Sequence, residues 1–454
     1  MKKLIVIYCI SAWACLGGCS IYKSYERPDM PVVDSLYRQP AADTTSLASL
    51  SWRELFTDPK LQALIETGLQ NNTDLNIARL KVTEAEATLM TSRLAYLPAL
   101  SFEPSGTLRH VEGGATTKSY DIAASAGWEV DIFGKLTNAK RGAKAALEQS
   151  EAYRQAVQTQ LVATIANSYY SLLMLDAQLD ISERTAAIWN ENVRAMKALK
   201  AAGNATELAV AQSEASKLSV DASVASLHQQ IDQMENTLTA LLGIAPQTIE
   251  RATIAEQRFP EELAAGVPLQ LLQRRPDVRQ SEAALAQAFY ATNAARAAFY
   301  PSITLSGSAG WTNAAGAAIT NPGQWLFTAV GSLVQPLFNR GKNIANLRIA
   351  KAQQEEALLS FRQSLLDAGT DVNNALIQWQ TARQRQILDR QQIASLESAV
   401  RSSELLMEYS SQNYLEVLTA RQSLLQAELT AVSDRFDEIQ GVINLYHALG
   451  GGVE

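Results

Sequence analysis

The side chains with the most chemistry to offer are three cysteines and three histidines. Cys9, Cys15 and Cys19 all fall within the first nineteen residues, so the body of the chain has no thiol for a disulfide, a thiolate metal site or a nucleophile. His110, His228 and His447 lie far from one another, and none has a second ligand at metal spacing. Each reads as a loop or helix-surface residue. There is no glycine-rich phosphate loop, nucleophile elbow or cysteine-histidine pair, and the carboxylates on the helical stretches are spaced as solvated faces. The pattern predicts no enzyme, no cofactor and no metal centre. The one residue placed for a specific reaction is Cys19, whose thiol closes Leu16-Gly17-Gly18-Cys19 behind Lys2, Lys3 and the apolar stretch Leu4 to Ala14.

That stretch has the layout of a secretory signal peptide, and its end resembles a bacterial lipobox, in which the cysteine is acylated and becomes the first mature residue. Residues 1–18 are then removed, the formal charge moves from −7 to −9 with the loss of Lys2 and Lys3, and residues 19–51 form a lipidated tail. Ser20 stands where inner-membrane lipoproteins often carry Asp, which favours outer-membrane sorting. The tail is polar and contains Pro28, Pro31 and Pro40, so it is expected to run extended along the body. No later run of ~18 apolar residues occurs, so any membrane crossing must use strands.

Long helices must position everything else. Two runs lack proline altogether, Ser105 to Ala245 and Leu337 to Glu454. In the first, Val220, Val224, Leu227, Ile231, Met234, Leu238 and Leu241 step by four and three, the seam of a coiled coil. In the second, Leu425, Leu429, Val432, Phe436, Ile439, Ile443 and Tyr446 do the same, each 205 residues later. The chain is therefore a tandem duplication. The first repeat spans residues 52–243, with short helices, a strand pair over 99–132 and a helical hairpin over 134–243. Residues 244–268 form a linker. The second repeat spans 269–450, with a helix, a strand pair over 301–338 and a hairpin over 339–449. The rising helix of the first hairpin carries Leu161, Ile165, Ser168, Leu172, Leu175 and Leu179 as its seam; ~65 residues make a rod near 100 Å. Its counterpart carries Leu358, Phe361, Leu365, Ala368, Val372, Leu376 and Trp379, and Phe338 is expected to open it. Gly203-Asn204 is the natural tip of the first hairpin. An Ala- and Leu-rich composition with 7% aromatics favours such helices. No basic run points to nucleic acid.

Where the period changes from helical to two, Ile122, Ala124, Ala126, Trp128, Val130 and Ile132 alternate with mostly polar residues. Ile303, Leu305, Gly307, Ala309 and Trp311 do so more cleanly. Both stretches reach the ~10 residues a tilted membrane strand needs. Four strands cannot close a barrel, because open edges cannot face lipid. Three copies contribute twelve, an even number within the bacterial range, and cyclic symmetry closes the ring. The expected fold is mainly α with transmembrane β: a trimeric α-helical tunnel continuing a 12-stranded trimeric barrel, with Trp128, Trp311 and Trp325 in aromatic girdles. Packing of the strands on a soluble core is the competing reading.

Several motifs occur in order: Trp52-Arg53-Glu54-Leu55-Phe56-Thr57-Asp58-Pro59, Asn72-Thr73-Asp74-Leu75, Trp128-Glu129-Val130-Asp131-Ile132-Phe133-Gly134-Lys135, Arg274-Arg275-Pro276-Asp277-Val278-Arg279 and Tyr300-Pro301. Through them almost the whole mature chain resembles the TolC-like outer-membrane efflux channels, in their OprM-like or NodT-like lipoprotein branch. The resemblance implies a homotrimeric channel-tunnel that docks on a periplasmic adaptor and an inner-membrane pump of the resistance-nodulation-division class, exporting drugs, metals or other small molecules. It also implies that the hairpin tips form the periplasmic aperture and adaptor-docking end. In relatives, acidic residues near the second tip ring the pore, in a stretch resembling Asn413-Tyr414-Leu415-Glu416-Val417-Leu418-Thr419-Ala420. Glu416 matches one acidic position, Thr419 falls where relatives often carry Asp, and Gln412 falls where some carry a gating Arg. Glu207, beside Gly203 and Asn204, holds the comparable place in the first tip. A periplasmic coiled-coil scaffold without a pore is the main alternative; it would carry one hairpin and a compact β domain. The exported substrate and the pump are not readable, and no methionine cluster points to copper or silver.

Overall fold

A computed structural model describes residues 22–29, 50–259, 275–313, 323–409 and 414–452. In chain order these form α1 (Trp52–Leu55), α2 (Pro59–Asn71), α3 (Thr73–Leu94), β1 (Ala99–Arg109), β2 (Thr117–Val130), α4 (Lys135–Ala201), α5 (Glu207–Leu242), α6 (Pro276–Ala297), β3 (Ser302–Thr312), β4 (Gln324–Val334), α7 (Lys342–Tyr409) and α8 (Tyr414–Ala448). Cys19, Gln412 and Arg274 lie outside the described residues, as does most of the expected tail. The compact units cut across the sequence duplication. One contains Lys81–Glu151 and Gln280–Arg362 with the segment up to Asp29; the other contains Met30–Leu80, Ala152–Arg279 and Gln363–Glu454. Each unit thus takes parts from both repeats.

The first unit is built on one antiparallel sheet in the order β1-β2-β3-β4. Its register places Leu100, Phe102, Ile122, Ala124, Trp128, Leu305, Ala309, Trp311, Trp325 and Phe327 on one face. The opposite face carries Ser101, Ser125, Thr304, Ser308 and Ser332, where hydroxyl pairs join strands: Ser101 to Ser125 at 2.6 Å and Thr304 to Ser332 at 2.5 Å. Leu326, Val330 and Val334 of β4 interrupt that polar face. The strand expected to run to Phe338 stops at Val334, and the helix expected from there begins at Lys342. Pro336 has no N–H to extend the ladder, and Arg340 and Gly341 take φ of 46° and 77°, which a helix cannot continue. Residues 22–29 lie extended against α6. The Tyr25 ring meets Phe289 edge-on at 5.8 Å, and Arg27 forms an ion pair with Glu282.

The second unit is a packed helical core. All seven residues of each heptad seam are buried or half-buried. Trp52, Leu55, Phe56, Ile65, Tyr169, Tyr170 and Leu238 share one cluster with Ile443 and Tyr446. Gly441 lets α8 approach α7, since an added Cβ would stand 2.9 Å from the Trp379 backbone. The Asp58-Pro59 motif is structural. Asp58 caps α2 by accepting from the Lys60 N–H at 2.9 Å, and its buried carboxylate also accepts from the Tyr169 hydroxyl at 2.6 Å and the Gln257 amide at 3.1 Å.

Asn72 and Arg275, 203 residues apart in sequence, do the same work in the two repeats. The Asn72 side chain accepts from the Leu75 N–H and donates to the Leu241 carbonyl, both at 2.9 Å. Arg275 donates to the Ala448 carbonyl at 2.9 Å. Each ties the start of a short helix to an orphan carbonyl at the end of a returning one. Asn72→Ala is expected to cost about 2 kcal/mol, from the lost cap and the unpaired carbonyl. Asn72→Ser keeps a capping oxygen and should cost about half, which thermal unfolding of the two variants will resolve.

Candidate functional site

Two places could act on something outside the chain: the sheet and the hairpin tips. At the first tip α4 ends in a reversal closed by its own backbone. Gly203 has a φ of 78°, its N–H donates to the Lys200 carbonyl at 2.9 Å, and the Asn204 N–H donates to the Leu199 carbonyl at 2.8 Å. This paired bonding needs a left-handed residue, which glycine supplies. Thr206 then caps α5 by accepting from the Ala209 N–H at 3.2 Å. Glu207 occupies the first helical position, where the helix dipole favours a carboxylate. It forms an ion pair with Lys200, and Lys197 meets Glu214 at 2.7 Å one turn further. The tip therefore neutralises its own acids, and Glu207 offers less free charge than its exposure suggests.

The second tip is described from Tyr414 onward. Glu416, in the first turn of α8, is exposed and has no ion-pair partner among the described residues. The Thr419 hydroxyl is occupied by the helix, donating to the Leu415 carbonyl at 2.9 Å. Of the expected aperture residues, Glu416 is thus the one with an unengaged charge. The structure adds a residue that period alone does not mark: the buried Tyr414 hydroxyl bonds to Ser213 of α5, and its ring shares a cluster with Trp189, Met196, Val210, Val220 and Leu418. Burial pushes the Tyr414 phenol above its ordinary pKa, so it stays a neutral tether between the two tips. Glu404 and Arg421 pair across α7 and α8.

On the sheet, the three tryptophans lie at its two ends. Trp128 is near the end of β2 from which α4 leaves, its indole N–H donating to the Tyr96 carbonyl at 2.9 Å. Trp311 and Trp325 are cross-strand partners at the opposite end, with ring centroids 4.6 Å apart. Trp325 and Phe327 are 74% and 77% exposed in the single chain, large apolar groups that water alone would not be expected to cover. Among the described residues, no group of three or more His, Cys, Asp or Glu side chains could hold a metal ion, and no helix is long and apolar enough to cross a membrane.

Comparison with known proteins converges on one kind of molecule. The family model for outer membrane efflux proteins matches residues 64–244 and 267–451. The cation efflux system protein CusC of Escherichia coli is 31% identical, over 96% of this chain and 96% of that protein. A probable efflux pump outer membrane protein, TtgC of Pseudomonas putida, is 30% identical over 100% of this chain and 96% of its own length. A solved structure of CusC superposes with a TM-score of 0.87 at 29% identity, over 95% of this chain and 100% of that one. The open state of the MtrE outer membrane channel of Neisseria gonorrhoeae also gives 0.87, at 28% identity over 96% and 99%.

Proposed function

Because this chain belongs to the outer membrane efflux protein family, we propose that three copies form a passive export conduit, fed by an inner-membrane pump through a periplasmic adaptor. The observation that carries this reading is the sheet. It has one apolar face and one hydroxyl-bearing face, and its outer strands β1 and β4 have no partner on their far sides among the described residues. An open edge cannot stand in lipid. Since β1 and β4 run antiparallel, β4 of one copy can pair with β1 of the next and keep the alternation around the ring. Three copies give twelve strands with the apolar face outward and the hydroxyls lining the lumen. Trp128 at one rim and the Trp311–Trp325 pair at the other become the two aromatic girdles. Tyr22 lies three residues after Cys19 and packs near Gly134 at the end of the sheet, so an acyl chain on Cys19 starts within ~10 Å of the membrane edge. The hairpin tips, with Gly203, Asn204 and Glu207 on one and Gln412, Glu416 and Thr419 on the other, form the aperture and the adaptor-docking end. Pump selectivity decides the cargo: similar relatives are named for cation efflux and for antibiotic efflux alike.

Purified protein should run as a detergent-stable trimer and conduct ions in planar bilayers; a monomer that needs no detergent once its lipid is removed would point to the scaffold instead. Threefold symmetry sets three Glu416 carboxylates around the entrance, which makes it cation-favouring. Glu416→Gln is expected to lower the cation-to-anion permeability ratio, read from reversal potentials in a salt gradient. An unchanged ratio and closed-state conductance would rule the ring out.

A further inference from the structure

All four helices that meet the sheet reach it at one end. α3 leads into β1, β2 leads into α4, α6 leads into β3 and β4 leads into α7. The register sets Ala99 beside Gly127, Val130 beside Ile303 and Ser302 beside Val334. The helix turns nearest that end carry basic residues at matching places in both repeats. Arg93 and Arg296 each stand one residue before the last of α3 and α6, 203 apart. Lys135 and Lys342 are the first residues of α4 and α7, 207 apart, and Arg141 and Arg348 follow two turns later at the same offset. The offset is the structural one, because it also superposes buried Ile165 on Val372 and Leu172 on Trp379. Two of these positions, Lys135 and Lys342, are helix N-termini, where the helix dipole disfavours a cation. Helix stability therefore does not account for the two lysines, although Arg93 and Arg296, in the last turns of α3 and α6, do suit the dipole there.

Nor, Lys135 apart, do carboxylates of the described residues account for the exposed ones. Lys135 meets Glu129 at 2.8 Å, but Arg93, Lys342 and Arg348 are exposed with no ion-pair partner among the described residues. This cationic band occurs in a chain whose net charge is −7. Beside it are exposed apolar side chains that water does not favour: Leu94, Leu97, Ile132, Tyr300, Leu337 and Phe338. Cations bordering an apolar belt are complementary to a phosphate headgroup above acyl chains.

We propose that this band is a docking surface for anionic glycerophospholipids of the phosphatidylglycerol type, in the leaflet through which the helices leave the membrane. The inference rests on the outer-membrane reading above. Phosphates of the opposite leaflet lie beyond the far end of the sheet, so the leaflet on the helix side supplies the headgroups. The band grips the channel at a fixed depth in the bilayer, beside the anchored amino terminus.

Reconstitution into phosphatidylcholine vesicles tests this. Electron spin resonance compares spin-labelled phosphatidylglycerol with spin-labelled phosphatidylcholine at the protein surface, and single-channel recording follows the same preparations. The wild-type protein should hold phosphatidylglycerol several-fold more strongly, with the preference shrinking in high salt. The triple variant Arg93→Gln, Lys342→Gln, Arg348→Gln should lose about fivefold or more of it while still conducting. A matched variant, Arg194→Gln, Arg390→Gln, Arg401→Gln, removes equal charge from other helix segments and should keep the preference. Equal loss in both variants, no preference in a conducting wild type, or a triple variant that weakens the trimer with lipid preference intact would overturn the proposal. A wild type that neither inserts nor conducts would overturn the channel reading with it.

Discussion

Replacing Arg275 by alanine is expected to destabilise the protein by about 2–3 kcal/mol per protomer, chiefly from the buried Ala448 and Ala368 carbonyls left unpaired, since the two carboxylates it also loses are half-exposed. Arg275 is 4% exposed and spends its guanidinium on four groups. It donates to Asp277 at 3.0 and 2.6 Å, to Asp371 at 2.9 Å, and to the carbonyls of Ala448 at 2.9 Å and Ala368 at 3.5 Å. Lysine supplies the charge but not the planar fork, so Arg275→Lys should recover only part of the loss. Burial pushes Asp277 up, yet the bond and charge of Arg275 win and hold its carboxyl below the usual range. A depressed carboxyl stabilises the fold above its unfolded pKa and loses that contribution as pH falls through the folded one. The wild-type contribution should therefore persist to about pH 4 and fade below it, while the alanine variant shows no such step. Burial and the same guanidinium hold His447 below its ordinary pKa, so its imidazole pKa should rise in Arg275→Ala. Thermal unfolding of the detergent-solubilised protein between pH 3 and 8 reads the first effect and proton NMR the second; a loss below 1 kcal/mol would show that the cluster is dispensable.

Much of this was legible because repetition amplifies weak signals. Two heptad seams 205 residues apart identify the hairpins without any knowledge of their partners, and a period of two over Ile303 to Trp311 marks a strand with one wet face. Gly203 was readable as a reversal because glycine takes a left-handed conformation at low cost. What composition concealed is pairing across the sequence. Arg275 sits in a motif that suggests a helix start, and nothing local shows that it also closes the end of α8 some 170 residues later. Asn72 performs the parallel task with a different side chain, so the two positions do not look alike until their acceptors are known. Glu207 and Glu416 both read as tip acids, yet Lys200 engages the first, while the second has no ion-pair partner among the described residues. A strand reaching Phe338 is the expectation from period alone, whereas Pro336 and the left-handed Arg340 and Gly341 end it at Val334.

Carboxylates on long helices read as solvated faces, and in α7 and α8 that expectation fails at one layer. Asp434 is 1% exposed and Asp389 8%. Arg385 pairs with Asp434 and lies 3.4 Å from Asp437. Burial, and then hydrogen bonding with Asp389, push Asp434 up to about 6, against the lowering pull of Arg385 and with a further raising contribution from Asp437. Asp434 therefore takes up a proton more readily in the folded protein than in the unfolded chain. An acid raised in the folded state contributes stability that is fully present below its unfolded pKa and lost as pH rises through the folded one. Acidification from pH 7.5 to 5 is therefore expected to tighten this hairpin by about 1.4 kcal/mol per protomer, opposite in sign to the Arg275 cluster and in a separate pH window. Asp434→Asn removes the proton requirement while retaining the shape. It should exceed the wild-type melting temperature at pH 7.5, by a margin that narrows toward pH 5 and closes only below about pH 4, which flattens the profile between. If instead the variant and wild type melt in parallel across that range, Asp434 is ionised in the folded protein and Arg385 alone balances it.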